Sequence, residues 1–299
     1  MLRFCRLTSH KNNLIIDDFL EQEVLMSSFY MYINIPLIIN YQLSIIKMIY
    51  HFPITASTND DARDEKYHEG DVVWADFQTA GRGQRGHEWH SRKGENLTFS
   101  VVLEPTFVPI AEQFAVSEVV ALSLVDMLAE YGIEARIKWT NDIYVGDRKL
   151  VGILIEHSLA TSTLRRTIVG VGINVNQTEF DASLPNPVSM AQLLGRELDV
   201  EEVLQRFLVH LQRNYEALRE MQNARCRMQN AECKMQNVLH ERYNSLLYRL
   251  NECHTYALPS GERFEAKILG TAPSGALQLE NKQGEIKDYL FKEVEFIII

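Results

Sequence analysis

The sequence predicts an α+β protein in which a larger domain is followed by a smaller one. Strand-like apolar runs occur between residues 97 and 177, among them LTFSVVL, LVGILIE and IVGVGINVNQ. The segments LQRFLVHLQRNYEALRE and VLHERYNSLLYRL have the spacing of amphipathic helices. After them, apolar and polar residues alternate between SG, APSG and NKQG turns, which predicts a small all-β module.

Composition agrees with this organisation. The chain has 299 residues, of which 46% are hydrophobic and 23% are charged, enough to form one large and one small core. The formal net charge of −10 disfavours nonspecific binding of nucleic acid. The four cysteines, at positions 5, 226, 233 and 253, form no CxxC pair and no metal-binding spacing. They are typical of a reducing compartment, so a cytoplasmic location is expected.

Residues 1–47 consist of short apolar stretches that Asn, Gln, Pro and Ser interrupt. No run reaches the roughly 18 apolar residues that a membrane span requires. A basic start followed by an apolar region and a cleavage site, as in a signal peptide, is also missing. We therefore expect no membrane association and a functional chain that begins near Met48, with the preceding part as an extension. A peripheral or partner-binding helix is the alternative.

The most informative stretch is residues 78–91, QTAGRGQRGHEWHS, in which Gly81, Gly83, Gly86, Arg82 and Arg85 fall within six positions. Glycine amides can surround an anion, and arginine offers a fixed, charged fork. The G-x-G-x-x-G spacing leads into a strand instead of a helix, and no G-K-[ST] follows, which argues against both common nucleotide loops. We expect a loop that wraps an anionic small molecule; a solvated glycine-rich hairpin is the alternative.

A second constellation occupies residues 138–156, KWTNDIYVGDRKLVGILIE. The runs IYV and LVGILIE are strand-like, and GDRK between them is a turn signal, so the segment predicts a β-hairpin. Lys138, Asn141 and Asp142 would lie at one end, with Arg148 and Lys149 at the tip or just past it. A further strand at 168–177 carries glycines at positions 170 and 172, which would permit the close approach of a ligand.

Residues 221–237 contain a seven-residue near-repeat, MQNARCR, MQNAECK and MQN. A period of seven suits a helix or a coiled coil. Two and a half repeats are too few for a stable coiled coil, and amphipathic segments flank them on both sides. We predict a helical insertion here, and a metal or redox site at Cys226 and Cys233 is the alternative.

Taken in order, five motifs resemble those of the biotin protein ligases: STN, QTAGRG-x-RG-x-x-W-x-S, KW-x-ND, RKLVGILIE and VGVGINVN. The resemblance covers residues 50–299 apart from the insertion. It implies a mixed-sheet catalytic domain at 48–250, of the type that lipoate ligases and class II aminoacyl-tRNA synthetases share. An SH3-like β-barrel would follow at 251–299. The chain resembles the short type of ligase, without an N-terminal DNA-binding domain.

The resemblance implies an enzyme that uses ATP to activate biotin as biotinyl-5′-AMP. The biotin is then transferred to a lysine of a biotin carboxyl carrier protein or domain. Both steps build negative charge on oxygen atoms, so the site needs preorganised cations and N–H donors. Lys149, Arg82 and the amides of Gly81 and Gly83 are the candidates for holding the carboxylate and the α-phosphate. Asp142 would orient Lys149 or help to hold the Mg²⁺ that accompanies ATP.

The ureido ring of biotin requires a few polar partners and apolar walls. The family implies that the STN motif and Gln78 line this pocket, although a helix cap is the alternative for STN. Trp89 is expected to pack over the ordered loop. The predicted biotin contacts are Ser57, Thr58, Asn59, Gln78, Gly81, Arg82, Gly83, Gln84, Lys149 and Gly152. The predicted contacts to ATP or the adenylate are Arg85, Trp89, Lys138, Asn141 and Asn174.

Two positions depart from the family's loop, which often has the sequence G-R-G-R-R-G. Gln84 stands at the fourth position, and His87 stands where arginine is frequent. Glutamine retains hydrogen bonding but loses the charge, so the departure puts in doubt how firmly the adenylate is held between the two steps.

Two other functions are compatible with parts of the pattern. A lipoate ligase shares the fold and the adenylation step, but the GRG-x-RG loop and KW-x-ND favour biotin. A biotin-dependent transcription regulator would need a DNA-binding element, and the acidic balance counts against nucleic acid as a partner. A monomer or a homodimer is expected.

Overall fold

A mixed eight-stranded sheet and a five-stranded antiparallel sheet organise the chain in the computed structural model, which describes residues 30–32, 45–227 and 238–298. Together with the helices that pack on them, these sheets confirm the predicted α+β class. Most of the predicted N-terminal extension and positions 228–237 of the predicted helical insertion lie outside the described residues.

The strands of the large sheet are, in chain order, β1 (Tyr30–Tyr32), β2 (Ile49–Phe52), β3 (Val72–Ala75), β4 (Leu97–Leu103), β5 (Arg136–Lys138), β6 (Asp142–Val145), β7 (Arg148–Leu159) and β8 (Leu164–Ile173). Their spatial order is β1-β2-β3-β4-β8-β7-β6-β5. Strands β2 and β3 run parallel, and the other neighbouring pairs run antiparallel. Every residue of β4 is buried, which is why its sequence is an unbroken run of mostly apolar residues. The predicted hairpin and the strand that follows it are confirmed.

The helices are α1 (Thr58–Asp61), α2 (Phe114–Glu130), α3 (Met190–Leu194), α4 (Val200–Arg227) and α5 (Val238–Ser245). Helices α2 and α4 pack against each other and against one face of the large sheet, where the main core lies. Phe99 of β4 meets Phe207 of α4 with ring centroids 5.2 Å apart. Because α4 continues to Arg227, the start of the predicted insertion is helical. None of the described helices is long and apolar enough to cross a bilayer.

The opposite face of the large sheet carries α1, which contacts β3, β4 and β8. A small apolar cluster beneath it contains Ala62, Tyr67, Val73, Val102 and Ile168. This cluster covers only part of the face, and the uncovered part next to α1 is where the cleft described below opens.

The packed core reaches back to Ile45, three residues before the predicted start at Met48. The side chain of Ile45 is 5% exposed, and the backbone N–H of Lys47 donates to the carbonyl of Gly70 at 2.9 Å. Gly70 has a φ of +89°, and a Cβ at this position would lie 1.5 Å from the carbonyl oxygen of Ile45. Glycine is therefore required where this segment meets the sheet.

The C-terminal module contains β9 (Cys253–Ala257), β10 (Arg263–Thr271), β11 (Leu277–Asn281), β12 (Ile286–Tyr289) and β13 (Glu295–Phe296). Their order is β12-β11-β10-β9-β13, with all neighbours antiparallel. Within the described residues the two end strands are not paired with each other, so the sheet is open along that side. The indole N–H of Trp139 donates to the carbonyl of Gly275 at 2.9 Å and ties the module to the large sheet.

Candidate active site

A cleft of about 570 Å³ opens beside α1 on the large sheet. Its floor contains Gly152, Gly170 and Gly172, and the strand register sets Gly152 directly opposite Gly172. A Cβ at Gly172 would lie 2.3 Å from Cε2 of Trp89, and one at Gly170 would lie 2.0 Å from Oδ1 of Asn59. The sequence predicts that a ligand approaches these glycines, whereas in the structure they make room for two side chains of the protein itself.

One end of the cleft is polar and enclosed. Ser57, Thr58 and Asn59 are 2, 3 and 4% exposed. The side-chain oxygen of Gln78 accepts a hydrogen bond from the backbone N–H of Thr58 at 2.7 Å and lies 3.2 Å from the Thr58 hydroxyl. Ser57 precedes α1 but makes no capping hydrogen bond with its side chain. Gln78 therefore supplies the acceptor at the start of α1 that the helix-cap interpretation assigns to Ser57.

Two further residues, which the sequence analysis missed, fix this polar end. The hydroxyl of Ser100 lies 2.6 Å from Oδ1 of Asn59 and 2.8 Å from the hydroxyl of Thr58. The Asn59 amide nitrogen donates to Oε2 of Glu156 at 3.0 Å and to the carbonyl of Leu154 at 3.3 Å. Both oxygen and nitrogen of the Asn59 amide are thus engaged, which fixes its orientation.

The other end of the cleft is cationic. Nζ of Lys149 lies 2.7 Å from Oδ1 of Asp142, and Nζ of Lys138 lies 3.8 Å from Oδ2 of the same carboxylate. Two ammonium groups therefore lie beside the Asp142 carboxylate at this end of the cleft. Burial, with Asp142 nearby, raises the pKa of Tyr144 to about 12, so this neighbouring phenol stays neutral at pH 7. Of the two roles predicted for Asp142, this contact supports the orientation of Lys149.

An irregularity in strand pairing brings Lys149 to this end. In the β6–β7 hairpin, Ile143 pairs with Val151 but Tyr144 pairs with Lys149, so Leu150 is an extra residue in β7. Such a bulge shifts the alternation of side chains by one position. Lys149 consequently lies on the same face as the cleft residues of the hairpin, and Leu150 is completely buried in the core.

The glycine-rich loop closes on itself through backbone hydrogen bonds. The amide of Gly83 donates to the carbonyl of His87 at 2.7 Å, and the amide of Trp89 donates to the carbonyl of Gly81 at 2.9 Å. Residues 84–86 form a single 3₁₀ turn, and Gly86 has a φ of +81°. The Gly83 amide, predicted to hold an anion, therefore donates its hydrogen bond within the loop in this structure. The side chain of Arg85 lies outside the described part of the chain.

Arg82 is paired with acidic side chains. Its two terminal nitrogens donate to the two oxygens of Glu156 at 3.1 and 3.0 Å, and one of them lies 2.8 Å from Oδ1 of Asp60. Burial by itself would raise the pKa of Glu156, but hydrogen bonds from Arg82 and Asn59 and the charges of Arg82 and Arg63 outweigh it and lower that pKa. The hydrogen bond to Glu156 raises the pKa of Arg82. The positive charge of Arg82 is thus balanced inside the protein.

Most of the predicted site residues come together in this cleft. Those that line it are Ser57, Thr58, Asn59, Gln78, Arg82, Gly83, Gln84, Trp89, Lys138, Asn141, Asp142, Lys149 and Gly152. Gly81 is not among the lining residues; a Cβ there would lie 2.5 Å from the carbonyl oxygen of Trp89. Asn174 also lies elsewhere: its amide donates to the carbonyl of Val188 at 3.1 Å, and it is 5% exposed.

The C-terminal module forms one wall of the cleft, which the sequence analysis did not assign to the site. Phe291, Val294, Glu295 and Phe296 line that wall. Nζ of Lys138 lies 5.1 Å from the centre of the Phe296 ring, a cation–π distance. These residues lie more than a hundred positions from the nearest motif, and no local pattern marks them as part of the site.

Comparison with known proteins agrees with this geometry. Residues 51–174 match the biotin/lipoate A/B protein ligase family. Every predicted site residue, from Ser57 to Asn174, falls inside the matched segment. The family resemblance that the sequence predicts is confirmed.

Relatives and solved structures extend the similarity beyond the ligase domain. The chain is 34% identical over 174 residues to the bifunctional ligase/repressor BirA of Bacillus subtilis, covering 56% of this chain and 53% of that protein. It is 36% identical over 139 residues to a biotin–[acetyl-CoA-carboxylase] ligase of Paracoccus denitrificans, covering 44 and 57%. The chain therefore spans about half the length of these relatives.

Among solved structures, the biotin protein ligase of Aquifex aeolicus in complex with biotin and ATP is similar to this chain. The TM-score is 0.68 and the identity 26%, with coverage of 84% of this chain and 98% of that one. This match covers much more of the chain than the segment 51–174 alone. The predicted fold class is thereby confirmed.

Proposed function

We propose that this protein activates biotin with ATP, forming biotinyl-5′-AMP and pyrophosphate, and then transfers the biotin to a lysine of a carrier protein. The observation that carries the proposal is a single cleft in a ligase domain that joins a polar end to a cationic end. Asn59 and Gln78 lie at the polar end, and Lys138 and Lys149 lie at the cationic end. A molecule with a polar ring and a carboxylate at the end of an apolar chain fits this arrangement.

In the first step, a carboxylate oxygen of biotin attacks the α-phosphorus of ATP and pyrophosphate leaves. Negative charge grows on the phosphate oxygens in the transition state, and fixed cations lower that barrier most. The ammonium of Lys149, oriented by Asp142 at 2.7 Å, would stabilise this charge together with Lys138. Because Asp142 holds Lys149 in advance, little reorganisation is needed when the charge forms.

In the second step, the neutral amine of the acceptor lysine attacks the acyl carbon of the adenylate. The bond from that carbon to the phosphate oxygen breaks, AMP leaves, and the nitrogen gives up a proton as the amide forms. The same lysines would stabilise the departing phosphate. The proposed acceptor is a biotin carboxyl carrier protein or domain of a biotin-dependent carboxylase, since relatives in Paracoccus denitrificans and Mycobacterium tuberculosis are named for acetyl-CoA carboxylase.

Mg²⁺ would enter this site with ATP. Among the described residues, no group of three or more His, Cys, Asp or Glu side chains is arranged to hold a metal ion. Mg²⁺ commonly takes one or two protein carboxylates together with phosphate oxygens. Asp142, beside the two lysines of the cleft, fits that role, and the ion would offset phosphate charge there.

The polar end of the cleft favours biotin over lipoate. Hydroxyl and amide groups of Thr58, Asn59 and Ser100 converge there and are almost enclosed, and the half-buried Gln78 lies beside them. The ureido ring of biotin offers two N–H donors and a carbonyl to such groups, whereas the dithiolane ring of lipoate offers none. Polar walls of this kind match a ring that can hydrogen-bond, so they favour biotin over lipoate.

The test is ATP–pyrophosphate exchange with biotin and, in parallel, with lipoate. We expect exchange with biotin and transfer of labelled biotin to a carrier domain, but not to the same domain with its acceptor lysine changed to arginine. Exchange with lipoate alone would identify a lipoate ligase. Binding of biotin without any exchange would instead favour the non-catalytic, biotin-responsive regulator. A cytoplasmic location and a monomeric or homodimeric state remain predictions from the sequence.

A further inference from the structure

Glu156, on β7, contacts two separate segments around the cleft. Its carboxylate accepts two hydrogen bonds from Arg82 of the glycine-rich loop. It also accepts one from Asn59 of α1 at 3.0 Å and one from Arg63, just after α1, at 2.7 Å. None of the chemical steps above uses Glu156, yet it joins a loop residue and a pocket residue through one carboxylate.

We propose that Glu156 is a positioning residue that ties the glycine-rich loop, through Arg82, to Asn59 in the polar end of the cleft. The loop is thereby held over the pocket before biotin arrives. This inference rests on the proposed function, because it concerns how the acid substrate is bound.

The loop has few other attachments at its far end. Among the described contacts, the backbone bonds of residues 81–89 are made within the loop, as between Gly83 and His87. The side chain of Trp89, inserted above Gly172, and the side chain of Arg82 connect the loop to the sheet. The paired hydrogen bonds from Arg82 to Glu156 fix the orientation of the guanidinium as well as its distance.

The Nε–H group of Arg82 does not take part in the contacts with Glu156 and Asp60. Both terminal nitrogens of Arg82 are taken by Glu156 and Asp60. Its Nε is buried and has no hydrogen-bond partner among the described residues, and Arg82 lines the cleft. Glu156 and Asp60 therefore fix the guanidinium, while its Nε–H has no protein acceptor among the described residues. Lysine could not replace Arg82 here, because it lacks the planar fork.

The charges of this cluster balance: Arg82 and Arg63 are cations, and Glu156 and Asp60 are anions. The cluster therefore contributes orientation more than net charge. The ammonium groups of Lys149 and Lys138, which would meet the phosphate, lie at the other end of the cleft. Loss of Glu156 should accordingly weaken the binding of biotin and leave the chemical step nearly unchanged.

The experiment measures ATP–pyrophosphate exchange as a function of biotin concentration for Glu156→Ala and Glu156→Gln. Hydrogen bonds to a charged group correspond to a change of roughly tenfold to hundredfold, so we expect the KM for biotin to rise by about this factor in Glu156→Ala, with kcat within about threefold. Glu156→Gln retains an acceptor oxygen and should fall between wild type and Glu156→Ala. The control is Glu202→Ala, which removes an exposed partner of Arg206 on α4 and should change neither constant.

A double variant tests whether Glu156 acts through Arg82. If it does, the combination of Arg82→Ala with Glu156→Ala should raise the KM for biotin little more than Arg82→Ala alone, because coupled residues are non-additive. An unchanged KM in Glu156→Ala, or fully additive effects in the double variant, would overturn the proposal.

Trypsin provides a readout that needs no activity. The bonds after Arg82 and Arg85 lie in the glycine-rich loop, and we expect Glu156→Gln to be cut there several times faster than wild type and Glu202→Ala. Equal cutting rates would contradict a tethering role even if the substrate is not biotin. A wild type without biotin-dependent exchange would reject the proposed function, while the trypsin comparison would still decide the role of Glu156.

Discussion

At the scale of single residues, the position of Lys149 depends on one extra residue in the hairpin. With regular pairing, Leu150 would lie opposite Tyr144 and its side chain would face the cleft. The bulge sets Lys149 opposite Tyr144 instead, so that its ammonium reaches Asp142 at 2.7 Å. A neighbouring cation, Arg148, is exposed and lies at the start of the same strand.

Replacing Lys149 with alanine should therefore disable adenylate formation without unfolding the protein. The loss of one preorganised charge contact typically lowers a rate by about 10² to 10³. The rate of biotin-dependent pyrophosphate exchange measures the effect, and circular dichroism verifies the fold. Arg148→Ala is the matched control and should exchange at the wild-type rate. Near-normal exchange in Lys149→Ala would remove this lysine from the mechanism.

Gln84 stands where the family's loop often carries an arginine, and the structure places it against the cleft. Its side-chain oxygen is buried without a hydrogen-bond partner among the described residues, and the residue lines the cleft wall. An arginine here would offer a charged fork to the phosphate of the adenylate, and charge-assisted hydrogen bonds are roughly twice as strong as neutral ones.

Gln84→Arg should consequently slow the escape of biotinyl-adenylate into solvent. The measurement is the labelling of an unrelated lysine-rich protein by labelled biotin and ATP during a long incubation, where we expect several-fold less labelling with the variant. Gln84→Met, which has a similar length but no hydrogen-bonding group, should label at least as much as wild type. Equal labelling by Gln84→Arg and wild type would show that other loop contacts retain the intermediate.

At the scale of elements, α5 connects α2 to the C-terminal module through a polar cluster. Nδ1 of His240 lies 2.6 Å from Oε1 of Glu118, a residue of α2 that is 2% exposed. Asn244, one turn later, accepts hydrogen bonds from the backbone N–H and the hydroxyl of Thr271 on β10, both at 2.8 Å. A buried carboxylate is stable only when it is paired, so this contact helps to hold α5 in place.

This cluster predicts a dependence of stability on pH. The hydrogen bond to Glu118, which outweighs the effect of burial, raises the pKa of His240 above its usual 6.5. A raised pKa means that the stabilisation is complete below pH 6.5 and is lost as the pH rises through the higher value of the folded state. The loss should approach roughly 1.5–3 kcal/mol, the contribution of a hydrogen bond to a charged group.

Urea unfolding between pH 6 and 9 measures this loss. His240→Gln should be less stable than wild type at pH 6 and should approach it near pH 9. His254→Gln is the matched control, since His254 pairs with Glu252 at an exposed position, where such pairs contribute little. A constant difference between wild type and His240→Gln at every pH would contradict the predicted charge effect.

At the scale of the whole molecule, the large sheet depends on residues upstream of the recognised motifs. Ile45 is buried, and Lys47 donates to Gly70. Strand β1 pairs with β2 at the edge of the sheet. Neither contact touches the cleft, so their contribution is to stability and not to chemistry.

Two shortened chains separate these contributions. A chain that begins at residue 42 lacks β1 but keeps Ile45, and it should retain ligation and melt at a higher temperature than a chain that begins at Met48. A chain that begins at Met48 loses a buried side chain, a change that costs about 2–5 kcal/mol in comparable substitutions, and should melt at a clearly lower temperature. Equal melting temperatures for the two would show that the segment at 45–47 is dispensable. Ile45→Ala in the full chain is the corresponding point variant.

Much of the fold follows from local patterns in the sequence. The buried run at 97–103, the hairpin around GDRK and the strand with Gly170 and Gly172 are recognisable because side-chain alternation and turn residues act over a few positions. The start of the functional chain near Met48 stays a prediction, and the main core includes Ile45, three residues before it. Ile45 lies in the apolar-rich segment LSIIKMIY, whose local pattern does not show which of its side chains are buried.

Most of the site residues predicted from the sequence line the cleft, but the sequence identified few of their partners. Gln78 caps α1 from 20 positions away, and Arg82 pairs with Glu156 across 74 positions. Such pairs depend on which strands are neighbours in the sheet, and local propensity does not encode this order. For the same reason, the wall formed by Phe291 and Phe296 became visible only when the C-terminal module was placed against the large sheet.

The sequence by itself determined the chemical inventory of this protein: a glycine-rich loop with arginines, a hairpin with Lys149 and Asp142, and a polar STN motif, all characteristic of biotin and lipoate ligases. The tertiary structure alone decided how these groups are used. In the folded protein, Arg82 pairs with Glu156, and the Trp89 side chain packs over the glycines of the cleft floor. A bulge in β7 places Lys149 on the cleft side of the sheet. The physical reason is that residue type fixes which interactions a group can make, whereas only the folded chain fixes the distances at which competing partners meet.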